Sequence, residues 1–199
     1  MDAVYIGSFN PVTKAHLQIA EEILKYAENC IFVPVSDLYA KDSLKVKGEE
    51  RLEMLRLATQ NQKRFIVDDL EIAMAKKYHH QNKTLETMRV LAQQYHKDLA
   101  FVIGADNLLE IKNWYHYREL LKEFRLIVIS RDGLDLYEYL SEDQELKELT
   151  KDTIVLNHID LNISSKLVRH HVLNGLPVDE LVTKEVQDYI EKHNLYGGN

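Results

Sequence analysis

Six short apolar runs alternate with segments of helical periodicity along the chain, and this alternation restricts the fold more than any other feature. The runs are rich in β-branched and aromatic residues, and they predict strands at 4–6, 31–35, 65–67, 99–103, 126–129 and 153–156. Repeated alternation of strand and helix predicts a Rossmann-like, doubly wound α/β fold, with helices on both faces of a mainly parallel sheet. In such sheets ligands bind beyond the carboxyl ends of the strands.

The end of the chain is predicted to be helical. Ser164 is placed to cap a helix over 165–174 that stops at Gly175, and Thr183 to cap a second helix that runs to about residue 193. The sequence contains no repeat and no linker rich in proline, glycine or serine. It therefore predicts a single domain over 1–199, with a C-terminal helical extension over about 160–199.

Composition narrows the functional class. The 199 residues are 45% hydrophobic and 29% charged, as in ordinary globular domains. The net charge of −7 argues against broad nucleic-acid binding, although a few cations in one cleft still suffice for a small phosphorylated ligand. Cys30 is the only cysteine, no apolar run has bilayer length, and no basic n-region precedes an apolar segment. We therefore expect a cytoplasmic protein that does not bind membranes.

The most informative segment for chemistry is the junction that follows the first strand, Gly7-Ser8-Phe9-Asn10-Pro11-Val12-Thr13-Lys14-Ala15-His16. It predicts a tight turn and then a helix, with Thr13 and His16 three residues apart. Backbone N–H groups and an imidazole at a helix start suit a phosphate. The alternative is an ordinary strand–turn–helix junction with a structural histidine.

A second helix start carries similar chemistry. Residues 163–169 offer the hydroxyl groups of Ser164 and Ser165, backbone amides, and the guanidinium of Arg169 one turn further on. Alone, such a serine is usually only a cap. No glycines are spaced as in the dinucleotide fingerprint or the P-loop, so phosphate binding would need another device.

Two more features indicate a nucleotide site. Asp106 follows the fourth strand and Gly104, where an acidic side chain often binds ribose hydroxyls; the alternative is a helix N-cap. Trp114, the only tryptophan, is either a core residue or a flat surface for a heteroaromatic ring. The adjacent pairs His79-His80 and His170-His171 diverge on a helix, so no catalytic transition metal is expected.

These segments together resemble the nicotinamide/nicotinate mononucleotide adenylyltransferases of the nucleotidyltransferase α/β-phosphodiesterase superfamily. GSFNPVTKAHL is similar to the family's version of the T/H-x-G-H signature, and ISSKLVR to its ISSTxIR signature. The supporting segments are PVSDLYAKDSL, Lys83-Thr84-Leu85, IGADNLLE followed by Trp114, and VQDYIEKHNLYG. The resemblance covers about residues 3–196 in order.

The resemblance implies transfer of AMP from ATP to nicotinate or nicotinamide mononucleotide, with release of pyrophosphate. It implies that His16, Thr13 and Arg169 are catalytic. The implied ATP contacts are Gly7, Ser8, Phe9, His16, Lys41, Gly104, Asp106, Ser164, Ser165 and Arg169. The implied mononucleotide contacts are Tyr39, Thr84 and Trp114. Mg²⁺ would be held mainly by the ATP phosphates, so no protein ligand for a metal is assigned.

Three positions depart from the family pattern. Ala15 stands where many relatives have glycine, Lys166 replaces the threonine of ISST, and Thr13 replaces the first histidine of the HxGH form. The alternatives are a sister enzyme, such as a phosphopantetheine adenylyltransferase or a glycerol-phosphate cytidylyltransferase, and a non-catalytic nucleotide sensor. The sequence leaves open the choice between nicotinate and nicotinamide forms, and whether the chain forms a homo-oligomer.

Overall fold

A single parallel sheet organises the described part of the chain. The computed structural model describes residues 1–39, 46–130, 143–156 and 162–197. The strands of the sheet are β1 (Asp2–Gly7), β2 (Cys30–Pro34), β3 (Phe65–Val67), β4 (Leu99–Gly104), β5 (Arg125–Ile129) and β6 (Ile154–Leu156). They pair in the order β3-β2-β1-β4-β5-β6, and every neighbouring pair is parallel. All six predicted strands are present, and the doubly wound fold is confirmed.

Helices connect and cover the strands. They are α1 (Lys14–Ile23), α2 (Gly48–Thr59), α3 (Leu70–Tyr78), α4 (Thr84–Tyr95), α5 (Ala105–Leu109), α6 (Tyr117–Glu123), α7 (Gln144–Leu149), α8 (Ser165–Leu173) and α9 (Lys184–Lys192). Both predicted C-terminal caps are confirmed, because the Ser164 hydroxyl accepts from the Leu167 N–H and the Thr183 hydroxyl from the Val186 N–H. Within the described ranges, no helix is both long enough and apolar enough to cross a membrane.

The strand order reverses at β1. From β1 the sheet continues through β2 and β3 on one side, and through β4, β5 and β6 on the other. The connections that leave β1 and β4 therefore diverge to opposite faces of the sheet and open a crevice between the two strand ends. Both strands end in glycine, Gly7 and Gly104, so no side chain of the last strand residue fills the crevice.

Both faces of the sheet are buried, as the continuous apolar runs predict for a parallel sheet. Ala3, Phe32 and Val102 pack on one face with residues of α1, α2, α8 and α9. Val4 and Phe101 pack on the opposite face with residues of α4, α5, α6 and α7. Neighbouring strand residues thus alternate between two apolar layers.

The C-terminal helices belong to the first of these layers. Val168 of α8 and Val186 and Ile190 of α9 are buried in the same cluster as Ala20 and Ile23 of α1. In addition, the Lys14 N–H donates to the Leu181 carbonyl at 2.9 Å. The C-terminal helices therefore share one apolar core with the sheet, and the single domain over 1–199 stays a prediction.

A buried arginine fixes the loops at the carboxyl edge of the sheet. Arg51 of α2 is fully buried, and its guanidinium donates to the Ser8 carbonyl at 2.8 Å, the Val35 carbonyl at 2.7 Å and the Val46 carbonyl at 3.3 Å. It also pairs with the Asp37 carboxylate at 3.0 Å. One side chain therefore holds the segments that follow β1 and β2, from which the crevice is built.

Replacing Arg51 is expected to destabilise the folded protein. In the Arg51→Met variant the buried carbonyl groups lose their donors, and each unsatisfied group costs about 1–3 kcal/mol. We expect the free energy of unfolding, measured by urea denaturation, to fall by about 3–5 kcal/mol. Arg56→Met is the control on the same helix, because Arg56 is exposed and, among the described residues, its guanidinium pairs only with Glu53, at 3.8 Å. The control should change the stability by less than about 1 kcal/mol; equal losses in the two variants would contradict this role of Arg51.

Candidate active site

A cleft lies between the carboxyl ends of β1 and β4. Its volume is about 310 Å³, at the lower end of the range for small-molecule sites. Seven residues predicted to contact ATP or the mononucleotide line it: Gly7, Ser8, Tyr39, Thr84, Gly104, Asp106 and Trp114. The fold therefore brings together residues that lie up to 107 positions apart in the sequence, from Gly7 to Trp114.

The aromatic wall of this cleft is Trp114. It is half-buried, and its ring centroid lies 6.1 Å from that of Phe101 at an interplanar angle of 56°. Trp114 thus combines the two readings of the sequence, since it packs against the core and also lines the cleft. Thr84, the first residue of α4, and the exposed Tyr39 lie in the same lining.

The acidic residue after β4 is not a helix cap. Gly104 occupies the N-cap of α5, and Asp106 lies in the first turn with its side chain exposed to the cleft. The alternative interpretation of Asp106 as an N-cap is therefore wrong. An exposed carboxylate at the end of a strand beside the switch point suits a ribose hydroxyl.

His16 is held by a reciprocal cap at the start of α1. The Thr13 backbone N–H donates to His16 Nδ1 at 3.0 Å, and the Thr13 hydroxyl oxygen lies 2.8 Å from the same nitrogen. The His16 N–H points back to that hydroxyl at 3.5 Å, which completes a capping box with a histidine in the N3 position. Because Nδ1 accepts a hydrogen bond from the Thr13 backbone N–H, the proton of the neutral ring lies on Nε2.

The start of α1 is more occupied by protein contacts than the sequence suggests. The Thr13 N–H is used by the imidazole, and the Lys14 N–H donates to the Leu181 carbonyl from the segment before α9. These two backbone groups are therefore not available to a phosphate. The start of α1 therefore offers fewer backbone donors to an anion than the sequence predicts.

The side chain of Phe9 points into the core. The residue has a φ of 42° and is 1% exposed, and its ring centroid lies 5.2 Å from that of His16 and 5.6 Å from that of Phe32. The buried ring supports the imidazole from the core side, and the contact of Phe9 with ATP stays a prediction. Gly7 allows this arrangement, because a Cβ at Gly7 would lie only 2.9 Å from Phe9 Cζ.

The second predicted helix start docks on the same turn as His16. The Ser165 hydroxyl donates to the Pro11 carbonyl at 2.8 Å, and Arg169 Nη1 donates to the Asn10 carbonyl at 2.7 Å. Ser164 caps α8. His16, through Thr13, and Arg169, through the Asn10 carbonyl, are therefore both tied to the segment 10–16, and neither is in the lining of the cleft; their action on one triphosphate stays a prediction.

Three further positions singled out by the sequence are Lys41, Ala15 and Lys166. Lys41 lies outside the described residues, so its place is not assigned. Ala15 is buried, at 4% exposure, so its methyl group packs inward, whereas Lys166 is exposed at the start of α8.

Glu71 is a lining residue that the sequence analysis missed. It is 4% exposed, and its carboxylate accepts from the Thr87 hydroxyl at 2.9 Å and from the Ser36 backbone. Burial raises the pKa of this carboxyl from 4.5 to about 7, against the opposing effects of Thr87, Ser36 and Arg51. An acidic residue in a short amphipathic helix gives no sign of such burial, because its partners come from α4 and from the loop after β2.

Glu71 makes stability depend on pH. Folding raises its pKa, so between pH 4.5 and 7 the folded protein retains a proton that the unfolded chain releases, and the free energy of unfolding falls as the pH rises. The Glu71→Gln variant has no such proton. Relative to it, we expect the wild type to lose up to about 3 kcal/mol between pH 5 and 8, measured by denaturant titration. The exposed Glu148→Gln serves as the control, and a parallel pH dependence of wild type and Glu71→Gln would argue against this assignment.

Comparison with known proteins agrees with the fold and identifies the family. The model of the cytidylyltransferase-like family matches residues 4–171. A probable nicotinate-nucleotide adenylyltransferase of Carboxydothermus hydrogenoformans is 36% identical, over 97% of this chain and 96% of the relative. One of Dehalococcoides mccartyi is 32% identical, over 96% and 94%.

A solved structure shows the same fold. The nicotinic acid mononucleotide adenylyltransferase of Plasmodium falciparum, in complex with NaAD, matches with a TM-score of 0.77 and 20% identity, over 98% of this chain and 96% of that one. The fold and the family model define a nucleotidyltransferase of the cytidylyltransferase-like class. Within that class, the chain belongs to the nicotinate-nucleotide adenylyltransferase family.

Proposed function

We propose that this enzyme transfers the AMP group of ATP to nicotinate mononucleotide and releases pyrophosphate. The relatives named as nicotinate-nucleotide adenylyltransferases support the nicotinate form as the acceptor. A structure of the Plasmodium falciparum relative in complex with APC also matches this chain, with a TM-score of 0.75. The single observation that carries the proposal is the capping box, because it leaves the proton of His16 on Nε2, where an N–H donor to a phosphate is needed.

The chemistry needs little from the protein besides positioning and charge. A phosphate oxygen of the mononucleotide attacks the α-phosphorus of ATP, a new P–O bond forms, and the bond to the β-phosphate oxygen breaks. The electron pair leaves with pyrophosphate. The nucleophile is already an anion, so no general base is required, and catalysis depends on alignment and on stabilisation of the phosphoryl oxygens.

The residues around the segment 10–16 would act on the triphosphate. His16 Nε2–H would donate to the oxygens on which negative charge develops, with Thr13 fixing the ring. Arg169 commits one nitrogen to the Asn10 carbonyl, and the rest of its guanidinium makes no hydrogen bond to the described part of the chain. The start of α8 at Ser164 and Ser165 adds a positive helix end. Gly7, Ser8, Gly104 and Asp106 would contact the adenosine.

The described residues do not themselves form a metal site. No group of three or more His, Cys, Asp or Glu side chains converges within 1–39, 46–130, 143–156 and 162–197. By resemblance to the family, a Mg²⁺ ion would be bound mainly by the phosphate oxygens of ATP and by water, which suits its preference for retaining water ligands. We assign no step of the reaction to it.

The acceptor is tested by a comparison of substrates. Pyrophosphate release from ATP is measured with nicotinate mononucleotide, nicotinamide mononucleotide and phosphopantetheine at matched concentrations. We expect the highest kcat/KM with nicotinate mononucleotide. A preference for phosphopantetheine would support the sister-enzyme alternative, and ATP binding without any release of pyrophosphate would support a sensor.

On sequence grounds we also propose a cytoplasmic location. Analytical sedimentation would decide whether the chain forms a homo-oligomer.

Removing the imidazole should abolish most of the turnover while the fold persists. The His16→Ala variant loses a donor to the transition state that is worth about 3–4 kcal/mol, so we expect kcat to fall about 10²–10³-fold. The melting temperature and the ATP dissociation constant measure folding and binding in the same variant. His193→Ala, at the exposed end of α9, is the control. Near-normal turnover of His16→Ala would remove His16 from the mechanism.

Trp114 is expected to bind the pyridine ring. The indole face favours a cationic ring, so Trp114→Ala should raise the KM for nicotinate mononucleotide about 10-fold, and that for ATP much less. Trp114→Phe keeps an aromatic face and should recover part of this loss. Tyr115→Ala is the control, because Tyr115 is exposed and does not line the cleft. Equal effects of Trp114→Ala on both KM values would assign Trp114 to the core alone.

A further inference from the structure

Three hydrogen bonds from the C-terminal part of the chain converge on two residues of the segment that precedes Thr13. Tyr196 Oη donates to Asn10 Oδ1 at 2.7 Å, Arg169 Nη1 donates to the Asn10 carbonyl at 2.7 Å, and the Ser165 hydroxyl donates to the Pro11 carbonyl at 2.8 Å. Asn10 is 2% exposed. Of the three donors, Arg169 and Ser165 belong to the candidate active site, whereas Tyr196 has no role in the proposed function.

The backbone that presents Tyr196 adopts a costly conformation. After α9, Asn194 has φ 49° and Tyr196 has φ 63°, and neither residue is a glycine. The left-handed region costs about 1–2 kcal/mol for such residues and persists only where surrounding contacts require it. Here the Leu195 N–H donates to the Ile190 carbonyl at 3.0 Å, and Leu195 and Tyr196 pack against the core that contains Phe9.

The phenol of Tyr196 is a dedicated donor. Burial is the main cause that raises the pKa of its hydroxyl above the ordinary value of 10, with Arg169 acting in the opposite direction. The hydroxyl therefore keeps its proton throughout the neutral range. A half-buried donor with its acceptor at 2.7 Å makes a well-formed hydrogen bond across 186 positions of the sequence.

We propose that Tyr196 is a positioning residue for catalysis, which holds Asn10 so that the segment 10–13 presents Thr13 and His16 in the reactive geometry. Asn10 lies three residues before Thr13, whose backbone N–H fixes the imidazole. Phe9, directly before Asn10, supports the same imidazole from the core side, with its ring 5.2 Å from that of His16. Rotation of the turn would therefore move both supports of His16. This inference rests on the proposed function.

The chain offers a matched control for this hydrogen bond. Tyr189 of α9 also donates its hydroxyl at 2.7 Å, but to the Glu50 carboxylate on α2 and not to a residue of the segment 10–16. Tyr196→Phe and Tyr189→Phe each remove one partly buried hydroxyl from the same part of the chain. Their effects on the melting temperature should therefore be similar, so a difference in turnover separates positioning from stability.

Steady-state kinetics test the proposal on the whole enzyme. We expect Tyr196→Phe to lower kcat about 3- to 10-fold, the equivalent of one hydrogen bond, with the two KM values within about twofold of the wild type. Tyr189→Phe should leave kcat unchanged. Asn10→Ala removes the acceptor, so adding Tyr196→Phe to it should lower kcat no further. Unchanged kcat in Tyr196→Phe, equal losses in both tyrosine variants, or fully additive losses with Asn10→Ala would overturn the proposal.

A readout independent of activity separates this proposal from the proposed function. Nitrogen-15 NMR of the His16 imidazole reports which ring nitrogen carries the proton. We expect the Nε2–H tautomer in the wild type and in Tyr189→Phe, and a mixture of tautomers in Tyr196→Phe. An unchanged spectrum in Tyr196→Phe would overturn the positioning role. If the wild type released no pyrophosphate with any of the three acceptors, the proposed function would fail, while the NMR result would still test the link from Tyr196 to His16.

Discussion

The position of β1 at the reversal of strand order is the constraint on which the rest of the structure depends. Because β2 and β4 pair with opposite edges of β1, the connections after β1 and β4 run to opposite faces of the sheet. The crevice between them is a necessary consequence of this pairing. Gly104 leaves its side of the crevice without a side chain, Gly7 leaves room for the buried ring of Phe9, and the family's signature residues follow Gly7 immediately in the chain.

The loops around this crevice are held by polar side chains whose hydrogen bonds are satisfied within the protein. Arg51 joins the ends of β1 and β2 through the Ser8 and Val35 carbonyls, and Glu71 joins the loop after β2 to Thr87 of α4. Such groups are costly to bury, and they are tolerated because each has partners. A rigid frame of this kind suits a reaction that depends on alignment rather than on a general base or a covalent intermediate.

The C-terminal part of the chain contacts the candidate active site as well as the core. Arg169 and Ser165 of α8 donate hydrogen bonds to the carbonyl groups of Asn10 and Pro11. The Leu181 carbonyl, in the segment before α9, accepts from the Lys14 N–H at the start of α1. Tyr196 donates to the side chain of Asn10. The two ends of the chain therefore meet at one turn. His16 is oriented locally by Thr13, but the turn that carries both residues is held by contacts with the C-terminal segment.

The sequence by itself determined the strands, the capped helices and the class of fold, because apolar periodicity and capping residues act over a few neighbouring positions. It also located the Thr13–His16 pair, the start of α8 and Trp114, since short motifs carry their chemistry in local spacing. Only the tertiary structure decided that Phe9 turns into the core, that the Lys14 amide is occupied, and that Arg51, Glu71 and Tyr196 form hydrogen bonds to distant segments of the chain. These outcomes depend on partners tens to nearly two hundred positions away, and no local pattern of residues encodes which distant groups a fold will bring into contact.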